Sequence, residues 1–268
     1  MKIDLSGRNA LVVGGGVVDG GVVEGGNGIG QAICCSFAAC GASVIVADRN
    51  AQAAEATCKL IRDAGGRAEV MELDVTDAAA TAAAISARPV DILHYNVGIG
   101  FAFETQSLES ARFTSVLEAN LVGLHTSVRA VLPGMQERRK GVILATSSAW
   151  AHRHLGYPHS FYAASKAGME HFIRLIAQEN ASFSVRANSI APGFIDTPRI
   201  RQNLARSYGE SSFDEIIARR ARQVPLGRLG KPEDVASMAA FLASDLAAYV
   251  TGCVFPVDGG LIGAAIAS

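Results

Sequence analysis

The amino-acid sequence predicts an α/β protein with a single doubly wound (Rossmann-type) parallel sheet flanked by helices on both faces. Three observations support this fold class. Apolar β-branched runs alternate with alanine-rich helical stretches, several of the runs are continuously apolar, and no linker or low-complexity segment divides the 268 residues. A continuous apolar run is typical of a parallel strand buried on both faces. We therefore expect one domain over residues 1–268.

The same alternation predicts the order of the elements. Seven strands are expected, at 10–13, 43–47, 68–73, 92–95, 142–145, 185–190 and 253–257. Six helices are expected between them, at 30–39, 51–64, 78–87, 108–132, 162–179 and 232–243. Pro232 begins the last helix well, because proline is favoured in a first turn and two acidic residues follow it. The stretch 199–224 is polar and arginine-rich, and we predict a flexible lid over the substrate there.

Composition and charge exclude several classes of protein. The chain is 49% hydrophobic with a formal net charge of −1, which argues against disorder, nucleic-acid binding and polybasic membrane binding. No apolar run has the length of a signal peptide's core or the ~18 residues of a membrane span. The five cysteines have no metal-ligand spacing. We expect buried, reduced thiols in a cytoplasmic protein, and no metal site.

A glycine-rich turn follows the first predicted strand. It contains three tandem copies of one five-residue unit, VVGGG, VVDGG and VVEGG, at 12–16, 17–21 and 22–26. Without two of the copies, the segment has the order strand, glycine turn, helix N-terminus, which lets backbone N–H groups approach a pyrophosphate. Gly14 would make the turn, Gly28 would allow the close approach, and Gly30 would let helix and strand pack. A surface loop that binds no cofactor is the alternative.

The end of the second predicted strand bears on the choice of cofactor. Asp48 lies where an acid can accept a hydrogen bond from a ribose 2′-hydroxyl and repel a 2′-phosphate. NAD is therefore favoured over NADP. Arg49 weakens that preference, because arginine can bind the phosphate.

Tyr162 and Lys166 lie four residues apart at a predicted helix start and so share one face. A tyrosine titrates at about pH 10, and a nearby ammonium favours its phenolate, which would suit a general acid or base. Ser147 and Ser148 end the preceding strand, at the edge where open α/β sheets bind ligands. A serine there can hold a substrate carbonyl or hydroxyl. For the Tyr–Lys pair alone, the alternative is an exposed amphipathic turn.

Together these motifs resemble the classical short-chain dehydrogenase/reductase family over nearly the whole chain. The matching pieces, in chain order, are Gly28-Ile29-Gly30, Asp48, Asp74-Val75, Tyr95-Asn96-Val97-Gly98, Asn120, Ser147-Ser148, Tyr162 with Lys166, Pro192-Gly193 with Thr197, and two runs at 227–244 and 250–261.

The resemblance implies four catalytic roles. Tyr162 would exchange a proton with the substrate oxygen, and Lys166 would lower the pKa of that tyrosine and bind the nicotinamide ribose. Ser148 would orient the substrate oxygen, and Asn120 would hold a water in the proton relay. Hydride would pass between nicotinamide and the substrate carbon without a metal.

The resemblance also implies a cofactor site and an assembly. The implied cofactor-binding residues are Gly14, Gly28, Ile29, Gly30, Asp48, Arg49, Asp74, Val75, Asn96, Val97, Gly98, Tyr162, Lys166, Pro192, Gly193, Ile195 and Thr197. A homo-oligomer is expected, a tetramer or a dimer. The apolar tail 261–268 fits burial against a partner subunit.

The sequence departs from the family pattern in the glycine turn. Val13 replaces a threonine, and the ten residues 17–26 are extra and carry Asp19 and Glu24, whose charge would repel the cofactor phosphates. We expect the extra copies to bulge into solvent, so that the frame from Gly14 to Gly30 is kept. Deletion of 17–26 should then leave or improve cofactor affinity.

Two further departures lie in the later motifs. Tyr95 replaces the first asparagine of its motif. Ser148 precedes Tyr162 by one residue more than is usual, which leaves Ser147 as an alternative to Ser148.

The substrate is left open by the sequence. The segment 150–161 should run along the pocket, and with Arg199, Arg201 and Arg206 it could form a basic rim that attracts a carboxylate. Solvated arginines and surface histidines are the alternative. A polyol or sugar derivative, a sugar acid or hydroxy acid, and a hydrophobic secondary alcohol all remain candidate substrates. The alternative to an enzyme is a non-catalytic binding protein whose cofactor loop is impaired by the 17–26 insertion.

Overall fold

The computed structural model describes residues 2–16, 28–197 and 213–264, and within these residues one sheet contains seven strands. The strands are β1 (Asn9–Val13), β2 (Ser43–Asp48), β3 (Arg67–Glu72), β4 (Ile92–Tyr95), β5 (Gly141–Thr146), β6 (Val185–Pro192) and β7 (Val254–Val257). All neighbouring pairs are parallel, in the order β3-β2-β1-β4-β5-β6-β7. The predicted parallel sheet is confirmed.

Helices connect these strands and cover both faces of the sheet. In the described ranges they are α1 (Ile29–Ala39), α2 (Ala51–Asp63), α3 (Ala78–Ser86), α4 (Ser110–Leu117), α5 (Gly123–Glu137), α6 (Ser160–Asn180), α7 (Phe213–Gln223) and α8 (Pro232–Ala243). Helices α1, α2 and α8 share one apolar cluster with the sheet, and α3, α5 and α6 share a second cluster on the other face.

The topology creates a crevice at the carboxyl end of β1. Strand β1 pairs with β2 on one side and with β4 on the other, and Val13 is in register with both Ala47 and Tyr95. The chain therefore leaves β1 toward one edge of the sheet and leaves β4 toward the opposite edge. In open α/β sheets a ligand binds outside the strands at this switch point.

The prediction of one continuous helix at 108–132 is wrong, because the helix is interrupted. It consists of α4, a π-helical turn at Glu118–Val122, and α5, which runs past Pro133 to Glu137. The α-helical pattern of apolar residues passes through the π turn without a break, because one extra residue shifts the pattern only slightly. The stretch 199–224 is only partly described, and its described part contains helix α7.

Some predictions lie outside the described residues. These are the insertion 17–26 with Asp19 and Glu24, the arginines Arg199, Arg201 and Arg206, and residues 265–268 of the tail.

The cysteines form no disulfide within the described part of the chain, but they are not all buried. Cys34 and Cys58 belong to the core, Cys35 and Cys40 are partly exposed, and Cys253 is exposed, which corrects the prediction of five buried thiols. Burial raises the pKa of the Cys34 thiol well above its ordinary value. Among the described residues, no helix is long and apolar enough to cross a membrane, and no cluster of three metal-ligating side chains occurs.

Candidate active site

Lys166 is held in place by the ends of two strands. Its Nζ donates hydrogen bonds to the Thr146 carbonyl at 2.7 Å, where β5 ends, and to the Val97 carbonyl at 3.1 Å, after β4. The side chain is only 1% exposed. An ammonium with so little freedom is a fixed positive charge, and its Nζ lies 5.8 Å from the centre of the Tyr162 ring.

Tyr162 lies on the first turn of α6, one helical turn before Lys166, as the spacing predicts. Gly98 packs beside both side chains. A Cβ atom at Gly98 would lie 3.1 Å from the Lys166 Nζ and 3.8 Å from the Tyr162 Oη. Gly98 therefore brings the backbone after β4 close to both polar groups, and a side chain at this position would crowd the Lys166 ammonium.

Asn120 lies in the π-helical turn, completely buried. Its amide bonds the backbone of Ile99 twice, with the Ile99 N–H donating to Oδ1 at 2.8 Å and Nδ2 donating to the Ile99 carbonyl at 2.9 Å. Nδ2 also donates to Ser165 Oγ at 2.9 Å. Asn120 thus connects the loop after β4 to α6, and single π turns occur often at functional sites.

Tyr95 supports this π turn, a role that sequence comparison with the family pattern did not indicate. The residue is fully buried, and its hydroxyl donates a hydrogen bond to the Ala119 carbonyl, next to Asn120. Burial raises the pKa of the Tyr95 hydroxyl, so the group stays a neutral donor. Gly123 makes room for it, since a Cβ there would lie 2.4 Å from the hydroxyl oxygen.

The two serines at the end of β5 have different surroundings. The Ser147 hydroxyl donates a buried hydrogen bond to Glu170 Oε1 at 2.6 Å. Ser148 Oγ accepts a bond from the Trp150 N–H at 3.3 Å, which leaves its own hydroxyl hydrogen available to another acceptor. Sequence reasoning missed Glu170, because nothing in a local pattern connects it to a serine on a strand.

The glycine turn keeps Gly14 against Gly30. Gly14 has a φ of +83°, a conformation that glycine adopts without strain. A Cβ atom at Gly30 would lie 2.0 Å from the Gly14 carbonyl oxygen, so only glycine fits there. Asn96 Nδ2 donates to the same oxygen at 3.0 Å, which fastens the loop after β4 to the turn. Gly28 precedes α1 and Ile29 begins it.

Asp48 lies against the glycine turn, and Asp74 lines a surface cleft. Asp48 Oδ2 accepts a hydrogen bond from the Gly16 N–H at 3.1 Å. Hydrogen bonds from the hydroxyl and the N–H of Thr76 lower the pKa of the Asp74 carboxyl. The cleft has a volume of about 670 Å³, lined by Arg49, Asn50, Ala51, Gln52, Glu72, Leu73 and Asp74. Val75 follows the cleft and is buried.

The segment after β6 lines the other side of the crevice. Strand β6 ends at Pro192, and a Cβ at Gly193 would lie 2.7 Å from the Asp258 Cα, so the backbones pack closely. Ile195 forms a β-bridge with Gly230 and is buried, as is Thr197. The predicted catalytic and cofactor residues that the structure describes thus lie at or after the carboxyl ends of the parallel strands, or on the helices that follow them.

Comparison with known proteins identifies the family. The model of the family described as enoyl-(acyl carrier protein) reductase matches residues 23–262. The chain belongs to the short-chain dehydrogenase/reductase family. It is 35% identical to 3beta-hydroxysteroid dehydrogenase 1 of Eggerthella lenta, an alignment that covers 97% of this chain and 96% of the relative. It is 34% identical to the 3-oxoacyl-[acyl-carrier-protein] reductase FabG of Pseudomonas aeruginosa, covering 97% and 99%.

A solved structure agrees with this short-chain dehydrogenase/reductase in fold. The 3-oxoacyl-[acyl-carrier protein] reductase of Brucella melitensis with bound NAD superposes with a TM-score of 0.85 at 31% identity, covering 98% of this chain and 94% of the other. Family membership makes the protein an oxidoreductase of the type that binds NAD or NADP.

In this short-chain dehydrogenase/reductase, aromatic rings form one wall beside Tyr162. The His159 ring centre lies 4.6 Å from that of Tyr162, and the Trp150 ring centre lies 4.6 Å from that of Tyr157. His159 Nδ1 also lies 2.7 Å from the Phe101 carbonyl oxygen. These rings are aromatic, and the arginines of the predicted basic rim, Arg199, Arg201 and Arg206, lie outside the described residues.

Two basic residues of the 150–161 segment face other groups. Arg153 donates hydrogen bonds to the Leu261 and Ala264 carbonyls at 2.8 Å and 2.7 Å, so it fastens the C-terminal segment instead of lining a rim. His152 Nε2 lies 3.0 Å from Glu170 Oε1. Arg153 therefore fits neither the rim nor the solvated alternative, whereas His152 is exposed, as the alternative of surface histidines expects.

Proposed function

We propose that this protein is an NAD-dependent oxidoreductase that transfers a hydride between nicotinamide and a secondary alcohol or ketone. The observation that carries the proposal is the fixed Lys166 ammonium, which two backbone carbonyls hold beside the Tyr162 ring. The nicotinamide, when bound, supplies or accepts the hydride. The residues of the chain provide the proton, the orientation of the substrate and the shape of the site.

Tyr162 is the proposed general acid and base. In ketone reduction its hydroxyl gives a proton to the substrate oxygen, and in alcohol oxidation the phenolate takes that proton back. The Lys166 ammonium favours the phenolate, because opposite charges at close range stabilise each other in a poorly solvated site. Gly98 packs against both groups, since a Cβ there would lie 3.1 Å from the Lys166 Nζ and 3.8 Å from the Tyr162 hydroxyl oxygen.

Ser148 is the proposed donor to the substrate oxygen, in preference to Ser147. The Ser147 hydroxyl already donates to Glu170, while the Ser148 oxygen only accepts a bond from a backbone N–H. We keep Asn120 in the proton relay, since an amide oxygen has two lone pairs and the Ile99 N–H uses one. Its bonds to Ile99 and Ser165 also make it a positioning residue.

NAD is the proposed cofactor, with NADP less favoured. The Asp48 carboxylate lies at the end of β2 beside the glycine turn, where its charge would repel a 2′-phosphate. The exposed Arg49 in the adjoining cleft is the feature that favours NADP.

The test is NADH- and NADPH-linked absorbance over a panel of polyols, sugar acids, hydroxy acids and ketones. We expect turnover with NAD(H), and a loss of about 10²- to 10⁴-fold in kcat for Tyr162→Phe. Tyr249→Phe is the matched control, because Tyr249 is fully exposed. Undiminished activity of Tyr162→Phe would overturn the assignment of the proton donor.

A second candidate function is that of a non-catalytic binding protein. The extra residues 17–26 favour it, since they add acidic side chains next to a turn that would receive phosphates. Titration of NADH and NADPH by fluorescence separates the two candidates. Absence of binding of either nucleotide at millimolar concentration would support the second candidate and refute the first.

We further propose a cytoplasmic homo-oligomer, a tetramer or a dimer. Phe113 on α4, Val122 in the π turn and Leu175 on α6 are large apolar side chains that stay exposed in the single chain. Their burial against a partner subunit would remove this apolar surface from water. Sedimentation equilibrium tests the proposal, and a monomer at micromolar concentration would contradict it.

A further inference from the structure

Helix α7 presents an unusual residue to the core. Ile216 and Arg220 lie four residues apart on one face of the helix, and Val224 continues the same line just beyond its end. Their exposed fractions are 3%, 5% and 4%, so the arginine is as buried as its two apolar neighbours. Arginines on this helix could have faced solvent, as Arg219 and Arg222 do. Because burial removes most water from the Arg220 guanidinium, the group needs other contacts to stabilise its charge.

Aromatic rings cover the Arg220 guanidinium. Its central carbon lies 4.7 Å from the centre of the Phe194 ring and 5.4 Å from the centre of the Tyr157 ring. Such contacts use the faces of the guanidinium plane and leave its N–H groups pointing outward from the edge. Among the residues that the structure describes, none accepts a hydrogen bond from this guanidinium and no carboxylate pairs with it.

A guanidinium that is only 5% exposed loses most of its solvation, and two aromatic rings compensate only part of that loss. A guanidinium has five N–H donors in a planar fork, and this fork matches the two oxygens of a carboxylate. A carboxylate that binds in the same plane would therefore satisfy the group. The protein therefore supplies the cation and the two rings that flank it, and a ligand would supply the carboxylate.

The position of Arg220 relates this site to the reaction centre. Tyr157, which contacts the guanidinium, has its ring centre 5.6 Å from that of His159, and His159 has its ring centre 4.6 Å from that of Tyr162. Two rings thus lie between the guanidinium and the proposed proton donor. An anion at Arg220 would therefore lie at the far end of a series of rings that begins at Tyr162.

We propose that Arg220 binds a carboxylate of the substrate, and that the substrates are hydroxy or keto acids whose carboxylate is several bonds away from the reacting carbon. This inference rests on the proposed function, because Tyr162 defines where the reacting carbon lies. A 2-hydroxy acid does not fit, since its carboxyl carbon is bonded directly to the reacting carbon. Arg153 cannot replace Arg220, because it already donates to the Leu261 and Ala264 carbonyls.

The kinetic test uses three ketones with NADH: 5-oxohexanoate, its uncharged methyl ester, and 2-oxohexanoate. For the wild type we expect kcat/KM for 5-oxohexanoate to exceed those of the other two by about 10-fold or more. Arg220→Gln should lower this kcat/KM by about 10- to 100-fold, mainly through KM, and leave the ester unchanged. Arg222→Gln is the matched control, since it removes the same charge from an exposed position of α7.

The binding test needs neither cofactor nor turnover. Trp150 is the single tryptophan of the chain, and its ring lies 4.6 Å from that of Tyr157, which contacts Arg220. We expect 5-oxohexanoate to change the tryptophan fluorescence with saturation, and the methyl ester to have no such effect. The change should disappear in Arg220→Gln and persist in Arg222→Gln. Arg220→Lys, which keeps the charge, should retain part of it, and it replaces the glutamine variant if that variant does not fold.

The outcomes separate this inference from the proposed function. A protein that shows no NAD(H)-linked activity but a saturable, Arg220-dependent response to 5-oxohexanoate would refute the proposed function and support the carboxylate site. Equal loss of activity toward 5-oxohexanoate and its ester in Arg220→Gln would show that the arginine is only structural, and would overturn the inference. So would the absence of a saturable fluorescence change in the wild type.

Discussion

Ser147 donates a hydrogen bond of 2.6 Å to the buried carboxylate of Glu170. Ser147 immediately precedes Ser148 in the chain. His152 Nε2 lies 3.0 Å from the same carboxylate oxygen. Glu170 belongs to α6, the helix that also carries Tyr162. One buried carboxylate therefore connects the segment of the proposed substrate-orienting serine to the helix of the proposed proton donor.

Glu170→Ala should lower both stability and turnover. The buried hydroxyl of Ser147 would keep only the Lys166 carbonyl, at 3.4 Å, as an acceptor, and the loss of the shorter bond should cost about 1 kcal/mol of the free energy of unfolding. The segment of Ser148 would also be less well positioned, so we expect kcat to fall more than KM changes. Urea unfolding and steady-state kinetics measure the two effects. Glu179→Ala, at an exposed position of the same helix, should change neither, and equal behaviour of the two variants would contradict the positioning role.

Gly30→Ala should disrupt the cofactor turn. The added Cβ would lie 2.0 Å from the Gly14 carbonyl oxygen and 2.7 Å from Asn96 Nδ2, and a backbone atom in a tight turn cannot move away easily. We expect a loss of NADH affinity of at least about 10-fold, or about 1.4 kcal/mol, by fluorescence titration. Gly168→Ala is the control, because its Cβ would meet only a leucine methyl group at 3.5 Å. That variant should bind NADH normally and be slightly more stable, since alanine favours a helix.

Most strands of the fold could be predicted from the sequence, because a parallel strand buried on both faces is a run of consecutive apolar residues. The run at 92–95 is apolar throughout except for His94 and was predicted with the bounds of β4. The pair Tyr162 and Lys166 was also within reach of local reasoning, since four residues make one helical turn. These features depend on neighbours along the chain.

Side-chain partners that come from distant segments could not be predicted in this way. Arg220 stacks on rings from two other parts of the chain, Tyr157 and Phe194, and no period in α7 indicates which ring lies opposite. Ser147 and Glu170 meet only because β5 and α6 pack together. Whether an arginine points into the core or into solvent is decided by such contacts, which no local sequence pattern records.

Tyr95→Phe should weaken the π turn that holds Asn120. The substitution leaves the ring in the core but removes the hydroxyl that bonds the Ala119 carbonyl, so a buried acceptor loses its partner. We expect the free energy of unfolding to fall by about 1–3 kcal/mol. Turnover should also fall, because the amide of Asn120 would be held less firmly. Tyr249→Phe, at a fully exposed site, is the control. A Tyr95→Phe protein with wild-type stability would show that the hydroxyl does not support the turn.

His94 should make the protein sensitive to acid. Its imidazole is completely buried on β4, with Nε2 at 2.8 Å from Thr146 Oγ1, and burial lowers its pKa from 6.5 to about 3. Between these two values the unfolded chain binds a proton that the folded protein does not, so stability falls as the pH falls. The slope contributed by His94 is about 1.4 kcal/mol per pH unit.

His94→Gln removes this titration and keeps a side chain that can bond the Thr146 hydroxyl. The free energy of unfolding, measured by urea between pH 7 and about pH 4, should therefore decrease less steeply in the variant than in the wild type. The difference in slope is the readout, because the substitution also changes packing by an amount that does not depend on pH. His171→Gln removes an exposed histidine of α6 and should keep the wild-type slope. Parallel curves for wild type and His94→Gln would mean that the buried imidazole is not the group whose protonation destabilises the fold.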